Sequence, residues 1–248
     1  FVYIFKDPLF WKTLKNTLLM LVLGAVPSTM LALFFAFVLN QSYIRLKNMF
    51  KGILFLPYIT SAVAVALIFG IFYGTEYGFL NYLVKQFVAL LNSLGAGIDF
   101  EGIKWLKGET TFFSVSFLSI WRWTGWNTLL FLAGMQGIDN SLYEAAQIDG
   151  ASRWQQFFKI TMPLLKPILF FSTTMSIIGG IQAFDDPMVL LGSDGGAGNN
   201  YMGITSSIYI YNNAFRWGYY GVASAASYVI FLVILVLSWI NKRLFREK

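Results

Sequence analysis

The sequence predicts an all-α integral membrane protein, a polytopic helical bundle with five transmembrane helices, and three observations predict it. The 248 residues are 57% hydrophobic and 19% aromatic with only 12% charged, and the mean hydropathy of +0.62 is too high for an ordinary soluble domain. Five segments, near 17–39, 52–73, 111–134, 164–190 and 219–241, each supply the roughly 20 apolar residues needed to cross about 30 Å of hydrocarbon. Lys and Arg stand singly beside these segments, so the +6 formal charge marks membrane topology rather than a nucleic-acid surface.

Leu9, Phe10, Leu14 and Leu18 recur around Lys12 and Lys15, which predicts an interfacial helix over residues 1–16 leading into the first span. Gly24, Pro27, Pro57, Gly70, Gly125, Gly179 and Gly180 fall inside spans, where membrane helices tolerate them and small residues allow close packing. The 75–110 segment reads as an external loop with a short amphipathic helix near 79–93, broken up by Gly95, Gly97, Gly102 and Gly108. The 192–200 run reads as an external turn. It lacks the Gly-Lys-Ser/Thr ending of a phosphate loop, so no ATP is expected on this chain.

Basic residues follow the first, third and fifth spans: Arg45, Lys47 and Lys51, then Arg153, Lys159 and Lys166, then Lys242, Arg243, Arg246 and Lys248. These segments, the C-terminus included, are expected in the cytoplasm. Residue 1 would then lie outside, which implies a missing upstream span and a six-helix core.

Residues 139–163 form a polar loop between the third and fourth spans. Ser141 and Glu144 have capping-box spacing, so a helix should start there. Asp149 and Gly150 should end it, because Gly enters the left-handed conformation that closes a helix. Ser152 and Gln155 repeat the box, which predicts a second short helix to about Thr161, stopping before Pro163. Two polar helices that cross no membrane are either a plain connector or are ordered by a partner's groove.

There are no Cys and no His, which removes thiol nucleophiles, Cys/His zinc sites and a Ser-His-Asp triad. No catalytic residue and no metal site is expected. Asp185 and Asp186 are adjacent carboxylates, but Pro187 beside them predicts a helix kink. Arg122 falls mid-span, where an Arg costs roughly 2.5–3.5 kcal/mol. It should face a cavity or a carboxylate such as Asp185 or Asp186, snorkel to the interface, or form a structural ion pair. Trp121, Trp123 and Trp126 suit interfacial anchors and equally suit stacking against sugar rings.

The stretch from Glu144 through Ala145, Ala146 and Gly150 to Ile160 and Pro163 resembles the Glu-Ala-Ala loop of binding-protein-dependent import permeases, with Met162 in place of Leu. Asp7 to Thr17, Leu56-Pro57-Tyr58, Trp121 to Asn127, Phe131 to Gln136 and Ala214-Phe215-Arg216 extend the resemblance across nearly the whole chain, most closely to the sugar-import branch of maltose and multiple-sugar type. The resemblance implies the type I ABC importer permease fold, with residues 1–248 as one permease domain in a bacterial or archaeal cytoplasmic membrane. It implies coupling to ATPase subunits through Glu144, Ala145, Ala146, Asp149 and Gly150. It places the substrate path at Tyr58, Trp121, Arg122, Gly125, Gly179, Gln182, Ala183 and Asp185. The implied partners are a second permease, two ATPase subunits carrying ATP and Mg, and an extracytoplasmic solute-binding protein, with a sugar as substrate. Glycerol phosphate, amino acid or polyamine import is the alternative. An ion-coupled secondary transporter is disfavoured, since it would leave the polar loop unexplained and no internal repeat is visible.

Overall fold

Residues 1–41, 45–192 and 201–245 are described by the computed structural model. Their helices in chain order are α1 (Val2–Lys6), α2 (Pro8–Asn40), α3 (Lys47–Ile59), α4 (Ala62–Phe72), α5 (Phe79–Ser93), α6 (Thr110–Gln136), α7 (Asn140–Ile148), α8 (Arg153–Gln156), α9 (Met162–Leu164), α10 (Lys166–Ile181), α11 (Asp185–Leu191), α12 (Ser206–Tyr211) and α13 (Tyr220–Phe245). Two π-turns, Phe157–Thr161 and Asn212–Arg216, interrupt the α-helical register.

All five predicted spans are helical, and three differ in form from the expectation. The segment expected as a helix leading into the first span is helical in two pieces, α1 and the start of α2, which begins at Pro8 and runs for 33 residues. The carboxylate of Asp7 accepts from the Leu9 N–H at 2.9 Å, and Pro8 sits where a helix has no use for an N–H. The second span is a bent pair, α3 and α4, interrupted at Thr60 and Ser61. The fourth is interrupted at residues 182–184, and Pro187 lies in the first turn of α11 rather than at a kink. Asp185 and Asp186 share that turn, where carboxylates favour the helix N-terminus. By length and composition, α2, the stretch Lys166–Leu191 and α13 can each cross a membrane, and the bent pair makes a fourth. The 27 residues of α6 are long enough, but Ser114, Ser116, Ser119, Arg122, Thr124 and Asn127 make it more polar. The 193–200 part of the expected external turn, Arg246 and Lys248 lie outside the described residues.

Two compact units divide the chain. The first comprises Phe1–Leu23, Thr60–Leu118 and Ile181–Ile230. One of its cores gathers Met20, Val65, Phe69, Tyr73, Leu118 and Leu190, with α11 packed on α4. Another gathers Ile4, Phe10, Ile204, Ile208 and Tyr209. There the Tyr209 hydroxyl donates to Asp7 at 2.6 Å, and burial together with that carboxylate pushes the phenol pKa up, so it stays a donor. Asn81 in α5 pins the loop around it: its Nδ2 donates to the Thr75 and Ile103 carbonyls, and its Oδ1 accepts from Ile103 N and Trp105 Nε1.

The second unit comprises Gly24–Ile59, Ser119–Gly180 and Phe231–Lys248. Its core joins Ala32, Ala36, Phe131, Leu132, Phe157 and Leu165. Polar pairs tie its helices: Ser172 Oγ donates to Asn127 at 2.9 Å, and Asn241 Nδ2 donates to Thr174 Oγ1 at 2.9 Å. On α2 small and polar residues such as Thr17, Ser28, Ala32 and Ala36 are buried alongside Phe10, Met20 and Leu39, while Val22, Val26, Met30 and Phe34 face outward. Large apolar residues on the outside suit lipid, where helices associate through small residues and hydrogen bonds.

Candidate functional site

The polar 139–163 segment folds as a hairpin within the second unit. Asp139 is the N-cap of α7 and accepts from the Ser141 N–H at 2.9 Å. The Ser141–Glu144 capping box is therefore not formed. Asp139 has the extended backbone that an N-cap needs, φ −61° and ψ 127°, and its side chain takes the amide first. The bonds from Ser141 hold the Asp139 carboxyl below its ordinary pKa. At the other end the Gly150 expectation holds. Gly150 has φ +78°, its N–H reaches the Gln147 carbonyl at 3.0 Å, and the Ala151 N–H reaches the Ala146 carbonyl at 2.8 Å. That pair of bonds is a Schellman closure.

Ser152 starts α8 with the expected box: Gln155 N–H donates to Ser152 Oγ at 3.3 Å, and Ser152 N–H donates to Gln155 Oε1 at 2.7 Å. The second helix does not stop before Pro163. After Gln156 the chain widens into the π-turn, where the Met162 N–H bonds back to the Phe157 carbonyl, five residues earlier. Pro163, which has no N–H, follows that long turn and is carried into α9 without breaking the path to α10.

Glu144, Ala145, Ile148 and Asp149 are exposed on α7, with Ile148 88% accessible, while Ala146 is half-buried. Behind this face the hairpin is braced. The Tyr143 and Thr161 hydroxyls are 2.8 Å apart, and Gln156 Nε2 donates to the Ala151 carbonyl at 3.1 Å. Trp154 stacks on Phe37 of α2 at 5.1 Å between ring centroids, and Phe157 meets Phe37 edge-on at 4.9 Å. These aromatic anchors went unnoticed in the sequence. The signal is Trp154, Phe157 and Phe158 at positions i, i+3 and i+4 of a segment that spans nothing.

Of the residues expected along a substrate path, the second unit brings Tyr58 together with Trp126, stacked at 4.9 Å and 26°, and with Trp123, edge-on at 5.3 Å. Gly125 is buried, and a β-carbon there would overlap the Leu54 carbonyl. The glycine thus lets α6 touch the α3 backbone and sets the Trp126 ring beside Tyr58. Arg122 is half-buried with its Nε shielded from solvent, Trp121 is 40% accessible, and Gly179 is exposed. In the first unit Gln182 and Asp185 are exposed at the α10–α11 break, and the half-buried Ala183 offers its carbonyl to Thr205 Oγ1 at 2.8 Å. Among the described residues no group of three His, Cys, Asp or Glu could hold a metal.

The second unit thus carries a braced hairpin with an exposed face and an aromatic cluster between α3 and α6. The chain is 36% identical to the lactose transport system permease protein LacF of Rhizobium radiobacter, an alignment covering 100% of this chain and 80% of the relative. It is 36% identical to the arabinooligosaccharides transport system permease protein AraP of Bacillus subtilis, covering 96% and 72%. Among solved structures, it is similar to a chain of a bacterial alginate ABC transporter in complex with an alginate pentasaccharide-bound periplasmic protein. The TM-score is 0.82 at 25% identity, covering 99% of this chain and 81% of that one. Residues 16–247 match the family described as binding-protein-dependent transport system inner membrane component, and the chain belongs to that family.

Proposed function

We infer that this chain is the permease subunit of an ATP-driven, binding-protein-dependent sugar importer, with an oligosaccharide as the substrate class. The whole chain acts as one permease domain, pairing with a second permease and two ATPase subunits that hold ATP and Mg. An extracytoplasmic binding protein delivers the sugar, and the C-terminus faces the cytoplasm. The chain itself catalyses nothing. The observation that carries this reading is the hairpin: a Schellman corner at Gly150 and a capped α8 hold Glu144, Ala145, Ile148 and Asp149 on an exposed face, which in this reading docks on an ATPase subunit. Its movement would switch the bundle between outward- and inward-facing states.

The permease names of its relatives support a sugar, and so does the Tyr58, Trp123 and Trp126 cluster, whose rings suit the C–H faces of a pyranose. With Trp121, Arg122, Gly125, Gly179, Gln182, Ala183 and Asp185, this cluster is the proposed path. A second reading, an acidic sugar, is favoured by a half-buried Arg122 in a membrane helix and by the alginate transporter among the similar structures. The complete transporter in liposomes tests both readings, with neutral and acidic oligosaccharides offered on the binding protein. ATP-dependent uptake of a neutral oligosaccharide is expected, and preference for the acidic set selects the second reading. Uptake without the ATPase subunits would overturn the mechanism.

A further inference from the structure

The hairpin meets the end of α2 through Arg153, Trp154 and Phe157. Trp154 of α8 lies over Phe37 with the rings 27° from parallel, and Phe157 closes the edge of the same ring. One turn further along, just past the end of α2, Gln41 is held by that helix through Nε2 to the Phe37 carbonyl at 3.1 Å. Its Oε1 then accepts from Arg153 Nη1 at 2.6 Å. Adjacent α8 residues thus grip the end of α2, one by stacking and one by a charge-assisted bond. Phe37, Gln41, Arg153 and Phe157 also form one wall of a cavity of about 450 Å³ whose other lining includes Asn40, Gln136, Gln147 and Gln156, so across that space they are the hairpin's direct link to α2. A gap cannot push, whereas a packed aromatic stack transmits displacement in any direction.

We propose that Phe37 on α2 and Gln41 just past its end, gripped by Trp154 and Arg153, are positioning residues that turn hairpin movement into movement of the α2 membrane helix. They lie off the exposed Glu144, Ala145, Ile148 and Asp149 face, so their role is transmission and not docking. Nothing in the family match assigns them one. The proposal rests on the importer reading above.

The test uses the complete transporter reconstituted in liposomes. Phe37→Leu keeps apolar volume and loses the ring, Gln41→Ala removes the bond to Arg153 together with the Nε2 bond to the Phe37 carbonyl, and Trp154→Phe keeps a stacked ring. Phe37→Leu and Gln41→Ala are expected to co-purify with the ATPase subunits and to keep basal ATP hydrolysis. Stimulation by the loaded binding protein and uptake should each fall about tenfold, within the usual range of coupling between sites. Trp154→Phe should stay within about twofold of wild type on the same scale. The proposal fails if Phe37→Leu and Gln41→Ala both transport normally, if the ATPase subunits are lost, or if Trp154→Phe is as impaired as Phe37→Leu. If Phe37→Leu does not fold, Gln41→Ala alone decides, because its bond to Arg153 is exposed and bears little on stability. A wild-type complex with no ATP-dependent uptake would count against the importer reading and not against the grip.

Discussion

The Tyr143 and Thr161 hydroxyls, 2.8 Å apart, join α7 to the π-turn across the Gly150 corner. Thr161 is 4% accessible, so removing its partner leaves a buried hydroxyl unsatisfied, at about 1–3 kcal/mol. Tyr143→Phe and Thr161→Val are each expected to lower the midpoint of thermal unfolding of the purified permease. The double variant should be no worse than the poorer single one, since both remove the same bond. Losses that simply add would show that the two hydroxyls do not act together.

Gly150 is a matter of backbone and not of space: φ is +78°, and a β-carbon there would meet nothing within 4 Å. A side chain at this position therefore costs only the left-handed conformation, roughly 1–2 kcal/mol for an ordinary residue. The expected order of uptake is wild type, then Gly150→Asn, then Gly150→Ala, with Gly150→Val abolishing transport while loaded binding protein still docks. Equal activity of the Asn and Val variants would dismiss the corner as a simple connector.

Gly125 behaves in the opposite way. Its φ is ordinary, and the obstacle is the Leu54 carbonyl, where a β-carbon would overlap backbone and not a flexible side-chain end. Gly125→Ala must push α3 from α6, at about 1–3 kcal/mol for overpacking. Separating those helices should also pull Trp126 from Tyr58, so tryptophan fluorescence is expected to shift together with the loss of stability. A Gly125→Ala permease of wild-type stability and unchanged emission would mean that the helices do not meet there.

The contrast between these two glycines shows what a sequence can disclose. Gly150 was legible because a helix stop is written locally, in Asp149-Gly150 followed by the Ser152–Gln155 box. The start of α7 was misread for a related reason: Ser141 and Glu144 have box spacing, but Asp139 two residues upstream competes for the same amide. Close packing at Gly125 was legible from a small residue in a span, but its partner was not, since Leu54 is distant in sequence and no pattern near either residue announces the other. The π-turn belongs to the same class. It coincides with Phe157 seating in a core built from α2, α6 and α10, contacts that no local pattern announces. Arg153 is legible as a topology charge, but its bond to Gln41, 112 residues away in sequence, is not.

Asn81 offers the sharpest test of a loop held by one side chain. It is 5% accessible at the third residue of α5. Its Nδ2 donates at 2.9 Å to both the Thr75 and Ile103 carbonyls, and its Oδ1 accepts from Ile103 N–H at 3.1 Å and Trp105 Nε1 at 2.9 Å. Two loop segments far apart in sequence are thereby stitched to one amide that uses both its donors and its acceptor. Asn81→Ala strands all four partners, at about 1 kcal/mol or more for each bond left unmade inside the fold. Asn81→Asp keeps the acceptors but turns a carboxylate toward two carbonyls, so it should fare no better. The expected outcome for both is faster hydrogen exchange at the Ile103 amide and new protease cleavage between residues 94 and 104, with α2 and α13 protected as in the wild type. Wild-type exchange at Ile103 in the alanine variant would show that the loop is held by its apolar contacts alone.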